Sequence, residues 1–285
     1  MESSTSSFAN VTNKTEQLDF YCTGFIVSRV FGFMSFIPSV LVGVPACVWL
    51  LWVLCNRPHT ALSNDIYTLN VTVIDLCYNI ITVPNIVNTY AVQLEWIFTL
   101  CWLAGSLNIA ARPLFMACIC VDYYMAVVHP IPYMKLKHCK YRMVVCTFVW
   151  VLVLAQVLTF ALNKHMLTIL WVISPSFAAP AIAFCDTAIL LALRRPDPSG
   201  RSGVHPQKQR ALQAITNSLV MALLSYVPPM VGLVVSKLMS LPEQDYLCNL
   251  LIPSSLFSVI ASATMPLLHL HNLGSLQKLK RLRCV

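Results

Sequence analysis

A chain of 285 residues that is 58% hydrophobic and only 11% charged, with a mean hydropathy of +0.71, falls outside the ordinary soluble class, because a surface so poor in charge would aggregate. Disorder is excluded as well, since disordered chains are polar and cannot bury this much apolar material. What remains is a polytopic membrane protein, and at about 20 residues per span the length accommodates roughly seven helices with little left for a separate domain.

The expected order begins with a Ser/Thr-rich tail, residues 1–24, that lacks the basic flank and apolar run of a cleavable signal, so the first span is expected to target the chain. Asn10-Val11-Thr12 and Asn13-Lys14-Thr15 in this tail are glycosylation sequons. Apolar runs follow at 26–55, 66–92, 98–127, 143–162, 167–193, 211–236 and 247–270, each read as a membrane helix. Asn70-Val71-Thr72 has the sequon pattern inside the second run and is expected to be silent. Beyond the last run, Leu273 to Leu282 alternates Leu with Lys and Arg. That pattern predicts a short cytoplasmic interfacial helix, with Cys284 as a candidate palmitoylation site. The predicted architecture is all-α: a seven-transmembrane helix bundle over 25–271 and a cytoplasmic helix and tail over 272–285.

Lys and Arg set the orientation, being retained on the cytoplasmic side. They concentrate in one alternate set of connections, at Arg57, Lys135, Lys137, Lys140, Arg142, Arg194, Arg195, Arg201, Lys208 and Arg210, and in the tail from Lys278 to Arg283. The other connections and the head hold only Lys14, Lys164 and Lys237, with Arg29 near the first span and Arg112 inside the third. The amino terminus is therefore expected outside and the carboxyl terminus inside, in the plasma membrane. The net charge of +8 is an orientation signal toward anionic lipid headgroups, and no nucleic-acid partner is expected.

Of the 12 cysteines, most lie in spans or on the cytosolic side, where the residue is usually a packing group. Cys22, Cys101 and Cys248 are near the outer face. One bridge fits three candidates: Cys22 to Cys248 would tie the amino-terminal segment to the last span, with Cys101 free. All three reduced is the alternative.

Residues inside the spans narrow the class. Gly43-Val44-Pro45-Ala46-Cys47, Trp49 to Leu54, and Ile66-Tyr67-Thr68-Leu69-Asn70 with Asp75 five residues on resemble the first two helices of rhodopsin-like G-protein-coupled receptors. The nearest likeness is to the branch holding protease-activated, nucleotide and hydroxycarboxylic-acid receptors. Val121-Asp122-Tyr123-Tyr124-Met125-Ala126-Val127-Val128-His129-Pro130 is similar to the family's sequence at the cytoplasmic end of helix three. Trp150, Pro180, Pro228 and Pro266 supply one mark each for helices four to seven.

The departures concentrate in the family's switch. Tyr123 stands where the resemblance implies an Arg after the helix-three acid, and the helix-six aromatic switch reads Ala222, Ser225 and Tyr226 before Pro228. The helix-seven Asn-Pro-x-x-Tyr reads Met265-Pro266-Leu267-Leu268-His269, Cys47 replaces Asn in helix one, and Ala188 replaces a helix-five Tyr. The family's outer disulfide is not expected, since the segment between Asn163 and Leu167 has no Cys.

Asp75 and Arg112 are ionisable groups within spans, where such residues face the bundle and find a partner or a function. Arg112 stands about 15 Å up helix three from Asp122. By resemblance its position bears a small polar group that helps the Asp75 counterpart hold sodium, so a fixed Asp75–Arg112 pair is expected; Arg112 facing another helix or water is the alternative. Asp122 is expected to be bonded by Tyr123, Tyr124 or a loop Lys, or to face water. Asp186 is expected to be solvated or paired with a nearby base. His269 and His271 point differently on a helix and do not suggest a metal site.

No His-Glu-x-x-His, Gly-x-Ser-x-Gly or Gly-rich phosphate loop occurs, so neither an enzyme nor a cofactor is expected. The seventh span holds no Lys for a retinal Schiff base, and Gly105 occupies the amine-binding position of aminergic receptors. Tyr90, Asn108, Trp171, Phe177 and Tyr226 are the candidate lining of an outer aromatic cavity. With Arg29, Lys164, His165 and Lys237 at its rim, it suits an anionic lipid, a nucleotide or a peptide better than an amine. For any one of these aromatics, a place in the interfacial belt or the core is the competing reading. The resemblance implies a receptor for an extracellular ligand that engages a heterotrimeric G protein, with atypical coupling. A non-signalling decoy or receptor-modifying protein of the same fold is the alternative, and a small transporter a third, disfavoured by the lack of an inverted pair of broken spans.

Overall fold

The computed structural model describes residues 26–56, 65–92, 94–136, 138–162, 167–194 and 206–272, all helical apart from short turns. Among the described residues, seven helices are long and apolar enough to cross a membrane: Val30–Cys55, Ile66–Val87, Glu95–Val128, Cys139–Thr159, Ile173–Ala192, Leu219–Leu238 and Cys248–His271. The first span is built from α1 (Ile26–Ile37) and α2 (Val44–Cys55), joined by a wider π-helical stretch, Pro38–Gly43. The second is α3 (Ile66–Val87), the third α4 (Glu95–Val128), the fourth α6 (Cys139–Leu162) and the fifth α7 (Leu167–Arg194). The sixth is α8 (Pro206–Leu238); after a four-residue helix, α9 (Glu243–Tyr246), and a π-helical stretch Leu247–Leu251, the seventh is α10 (Ile252–Asn272). The interfacial helix expected in the tail lies outside the described residues, as do Asn10, Asn13, Cys22 and Cys284.

Prolines shape the ends. His129 precedes Pro130, a placement that disfavours helical backbone. It leaves the third span with φ −127° and ψ 63°, and the chain restarts at Pro130 as a short helix, α5 (Pro130–Leu136), which hydropathy does not announce. At the carboxyl-terminal end of the second span, the Asn88 amide closes the turn like a miniature strand pair. Its Nδ2 donates to the Leu94 carbonyl at 3.0 Å and its Oδ1 accepts from the Leu94 N–H at 2.8 Å.

The third span is the hub. It packs against the second, fourth, fifth and sixth, while the first and seventh close the ring against each other. Phe115, Ile119, Ala110 and Ala111 face Tyr67, Val71 and Ile74 of the second span and Val149 and Val153 of the fourth. Met116 and Cys120 face Ala178, Ile182, Cys185 and Ile189 of the fifth, together with Ala222, Tyr226 and Met265. Tyr123 touches both clusters. The fourth span is the outlier: Tyr141, Val144, Phe148, Val151, Leu158 and Leu162 are exposed along one helical stripe, the face a lipid-solvated helix presents.

Candidate functional site

Two polar assemblies cross the apolar interior. The first lies at mid-bundle. Asp75 and Arg112 are buried, with Arg112 Nε 3.4 Å from Asp75 Oδ1. The Asn108 side-chain amide also bears on this carboxylate, but no strictly aligned hydrogen bond from the described residues reaches either oxygen, so the pair is chiefly a contact of charges in a medium where leaving either alone is costly. Arg112 Nη1 donates to the Ser258 carbonyl of the seventh span at 3.2 Å, and Ser258 Oγ donates to the Ser225 carbonyl of the sixth at 3.1 Å. That last acceptor is available for a covalent reason: residue 229 is Pro, which has no N–H to return to the carbonyl four residues back. The guanidinium thus joins the second, third, seventh and, through Ser258, sixth spans.

A turn further along the second span, Asn79 Nδ2 donates to the Asp75 carbonyl at 2.8 Å and Ser262 Oγ stands 3.4 Å from Asn79 Oδ1. Gly43, in the π-helical stretch of the first span, lies so close that a Cβ there would come within 2.5 Å of Asn79 Oδ1. Only a glycine admits this approach of backbone to side chain. The fourth span is tied to the second through Trp150 Nε1, which donates to Asn70 Oδ1 at 2.9 Å, and Trp150 packs tilted on Phe115.

The second assembly is at the carboxyl-terminal end of the third span. Arg142 Nη2, at the start of the fourth span and only 2% exposed, donates to both Asp122 oxygens at 2.7 and 2.8 Å and to the Tyr133 hydroxyl of α5 at 2.8 Å. Tyr133 in turn points its hydroxyl at Asp122 Oδ2, 3.4 Å away. Burial pushes the Tyr133 phenol above its ordinary pKa, which keeps its proton in place as a donor. This corrects the expectation for Asp122: among the described residues the acid is held by Arg142 and Tyr133, and not by Tyr123, Tyr124 or a loop Lys, because Arg142 folds inward from a position that topology alone reads as a cytoplasmic charge. Tyr124 instead meets His129, its Oη 3.2 Å from Nε2, and packs on Phe184.

The remaining expected residues disperse. Asn108 is buried one turn before Arg112 on the same helix face, with its side-chain amide bearing on the Asp75 carboxylate. Tyr226 is buried beside Met265 and Ala222, its hydroxyl without a described hydrogen-bond partner. Phe177 is 74% exposed on the stripe it shares with Ile173 and Phe184. It therefore faces outward and does not line an interior cavity, a correction caused by a helix face that composition could not assign. Tyr90 falls in a π-helical turn, Asn88–Val92, and Trp171 in the fifth span; their side chains lie outside those described. Pro228 and Pro266 lie inside the sixth and seventh spans, whose helices continue through them, and His269 has a buried Nε2 with no described partner. Asp186 is buried, which departs from the expectation that it is solvated, and its Oδ1 has no hydrogen-bond partner among the described residues. Cys248 is disulfide-bonded and Cys101 is a buried free thiol. Pro229, Ser225, Ser258, Tyr133 and the pairing role of Arg142 escape the sequence reading. A doubled proline, which frees two carbonyls, was the one available signal for the first three.

Residues 47–169 match the family model of the seven-transmembrane receptors of the rhodopsin family. Over 128 residues the chain is 31% identical to G-protein coupled receptor 183 of Rattus norvegicus, covering 43% of this chain and 36% of that one. It is 29% identical to purinoceptor 4 of Xenopus laevis over 146 residues, 50% of this chain and 27% of the relative. Against human proteinase-activated receptor 3 the identity is 31% over 130 residues, 44% and 34% of the two chains. The chain thus spans roughly a third or less of the length of these curated relatives. Among the described residues seven apolar helices form a bundle in which the third contacts the second, fourth, fifth and sixth, and over residues 47–169 the chain is similar to the rhodopsin-like seven-transmembrane receptors, with purinoceptor and proteinase-activated receptors among the relatives it resembles.

Proposed function

We propose that this multi-pass membrane protein is a plasma-membrane receptor, amino terminus outside, that senses an extracellular ligand and passes the signal to a heterotrimeric G protein through an atypical inner face. The observation that carries this reading is the rhodopsin-family match over residues 47–169, which includes the third span and its inner Asp122-Tyr123-Tyr124 sequence. The concentration of Lys and Arg in alternate connections supports the orientation. An anionic lipid, a nucleotide or a peptide is the proposed ligand class, since relatives bear the names purinoceptor and proteinase-activated receptor and the outer rim is basic. Buried Tyr226, whose hydroxyl has no partner among the described residues, is a contact we assign on the ligand side, together with Asn108, one turn from the buried charge pair. Glycans on Asn10 and Asn13, a Cys22–Cys248 bridge and a lipid on Cys284 complete the proposal.

A non-signalling role as a receptor-modifying protein is favoured by one specific feature: the acid at the end of the third span is bound to a buried arginine of another helix, with Tyr123 where a mobile cation is expected. Screening nucleotides, lysolipids and peptides on transfected cells with paired G-protein and arrestin readouts separates the two. A ligand-dependent response in either readout supports the receptor. Surface expression with altered trafficking of a co-expressed receptor, and no response of its own, supports the modifier.

A further inference from the structure

Arg112 carries more donors than its described partners use. Its Nε faces Asp75 and its Nη1 donates to the Ser258 carbonyl, while Nη2, buried with the rest of the side chain, meets no acceptor among the described residues. A second spare donor lies close by. The buried Tyr226 hydroxyl has no described partner either; Tyr226 follows Ser225, whose carbonyl the Ser258 hydroxyl holds, and packs with Met116, one turn past Arg112.

Toward the amino-terminal end of the third span there is room. A Cβ on Gly105 would meet nothing within 4 Å, and the position is partly exposed. Helical spacing sets Gly105 between two pairs of inward residues. Trp102 and Ile109 pack on Tyr246, Leu251 and Leu233, and Asn108 and Arg112 bear on Asp75, so the space opens inside the bundle. Side chains on a helix lean toward its amino terminus, which tilts Arg112 toward this space, about 10 Å along the axis at 1.5 Å per residue. Charge then decides what the space takes. Asp75 already neutralises the guanidinium, so a further buried anion would bring a charge without a partner, whereas a neutral acceptor satisfies both spare donors with no such cost.

We propose that Gly105, Arg112 and Tyr226 form a ligand subsite between the third, sixth and seventh spans for a neutral hydrogen-bond acceptor, a carbonyl oxygen at the tip of a slim apolar chain. The subsite deepens the ligand-side reading above and rests on it, leaving any anionic group of the ligand to the basic rim.

Thermal melting of the full chain in lipid nanodiscs, with no G protein present, tests it with hexanamide, hexanoate and hexylammonium, probes of one length and three charges. Hexanamide raises the melting midpoint saturably, and either ion needs at least about tenfold more for the same shift. Gly105→Leu, whose side chain enters the open space, keeps the midpoint of the unliganded chain and abolishes the hexanamide shift. Tyr226→Phe, which removes one donor, weakens hexanamide about fivefold. No saturable shift, a larger one with hexanoate, an equal one with all three probes, or a hexanamide shift that survives Gly105→Leu overturns the subsite. If Gly105→Leu does not fold, Tyr226→Phe decides alone, and unchanged hexanamide affinity in it refutes the assignment. Hexanamide binding without any G-protein response to the screened ligands removes the receptor reading and leaves the subsite; a response without hexanamide binding does the reverse.

Discussion

Arg112 does what a guanidinium at the centre of an apolar bundle must: it neutralises one acid and directs a further N–H to a backbone carbonyl. Arg112→Ala leaves Asp75 charged and alone, and breaking a buried pair in this way costs about 3–5 kcal/mol, enough to exhaust much of a marginal stability. Surface expression by flow cytometry of a tagged chain is expected to fall several-fold, and Asp75→Asn in the same chain to restore a substantial part, because the orphan charge is then gone. Additive losses would show that the two residues act separately. This pair was legible in the sequence because ionisable residues stand out in apolar runs. Arg142 was not, since at a membrane boundary its charge serves the orientation count equally well whether it faces lipid headgroups or Asp122. The Ser225 carbonyl was invisible for another reason: every residue has one, and only the pairing of Pro229 with Ser258 in space makes this one an acceptor.

Elements were legible as far as hydropathy goes. It reports how apolar a segment is, so the seven spans are where the apolar runs put them, but it says nothing about helical register. The π-helical stretches at Pro38–Gly43, Asn88–Val92 and Leu247–Leu251 therefore had no signature. The first of them presents Gly43 to Asn79. The Asn79 side chain is fixed by its bond to the Asp75 carbonyl, so it cannot simply swing aside. Gly43→Ala is expected to force the first and second spans apart at a cost of about 1–3 kcal/mol, the range for overpacking a well-filled site. That lowers the melting midpoint in detergent by several degrees. Asn79→Ala in the same chain should recover much of the loss; a melting midpoint equal to wild type in Gly43→Ala would show that the π-helical stretch yields freely.

At the scale of the whole molecule, the contacts that carry signalling in rhodopsin-like relatives are rewritten. Tyr123, Ala188 and His269 occupy positions for which the family resemblance implies Arg and two Tyr. Tyr123 packs between the two core clusters, and the nearby acid is engaged by Arg142. Basal nucleotide exchange on a purified G protein is therefore expected to be weak. Tyr123→Arg with His269→Tyr is expected to raise it by about threefold, a shift of only ~0.7 kcal/mol in the balance of closed and open forms. High exchange in the unmodified chain, abolished by Tyr123→Ala, would make Tyr123 itself the working switch. The outer half was the least legible part: Phe177 looked like cavity lining until its helix face was known.

The exposed flank of the fourth span sets the order in which the molecule comes apart. That helix leans mainly on the third and hardly touches the fifth, to which Ser174 Oγ links it by a 2.7 Å bond to Gln156 Oε1. Much of its outer surface is solvated by acyl chains in place of neighbouring helices, so its cohesion depends on the bilayer. A harsh, short-chain detergent withdraws that support before it disturbs the buried charges at mid-bundle. Solubilised protein should thus lose the outer half of the fourth span first, while Trp150 and Arg142 still anchor its inner half. Long-chain or sterol-containing amphiphiles are the natural medium in which to keep it whole.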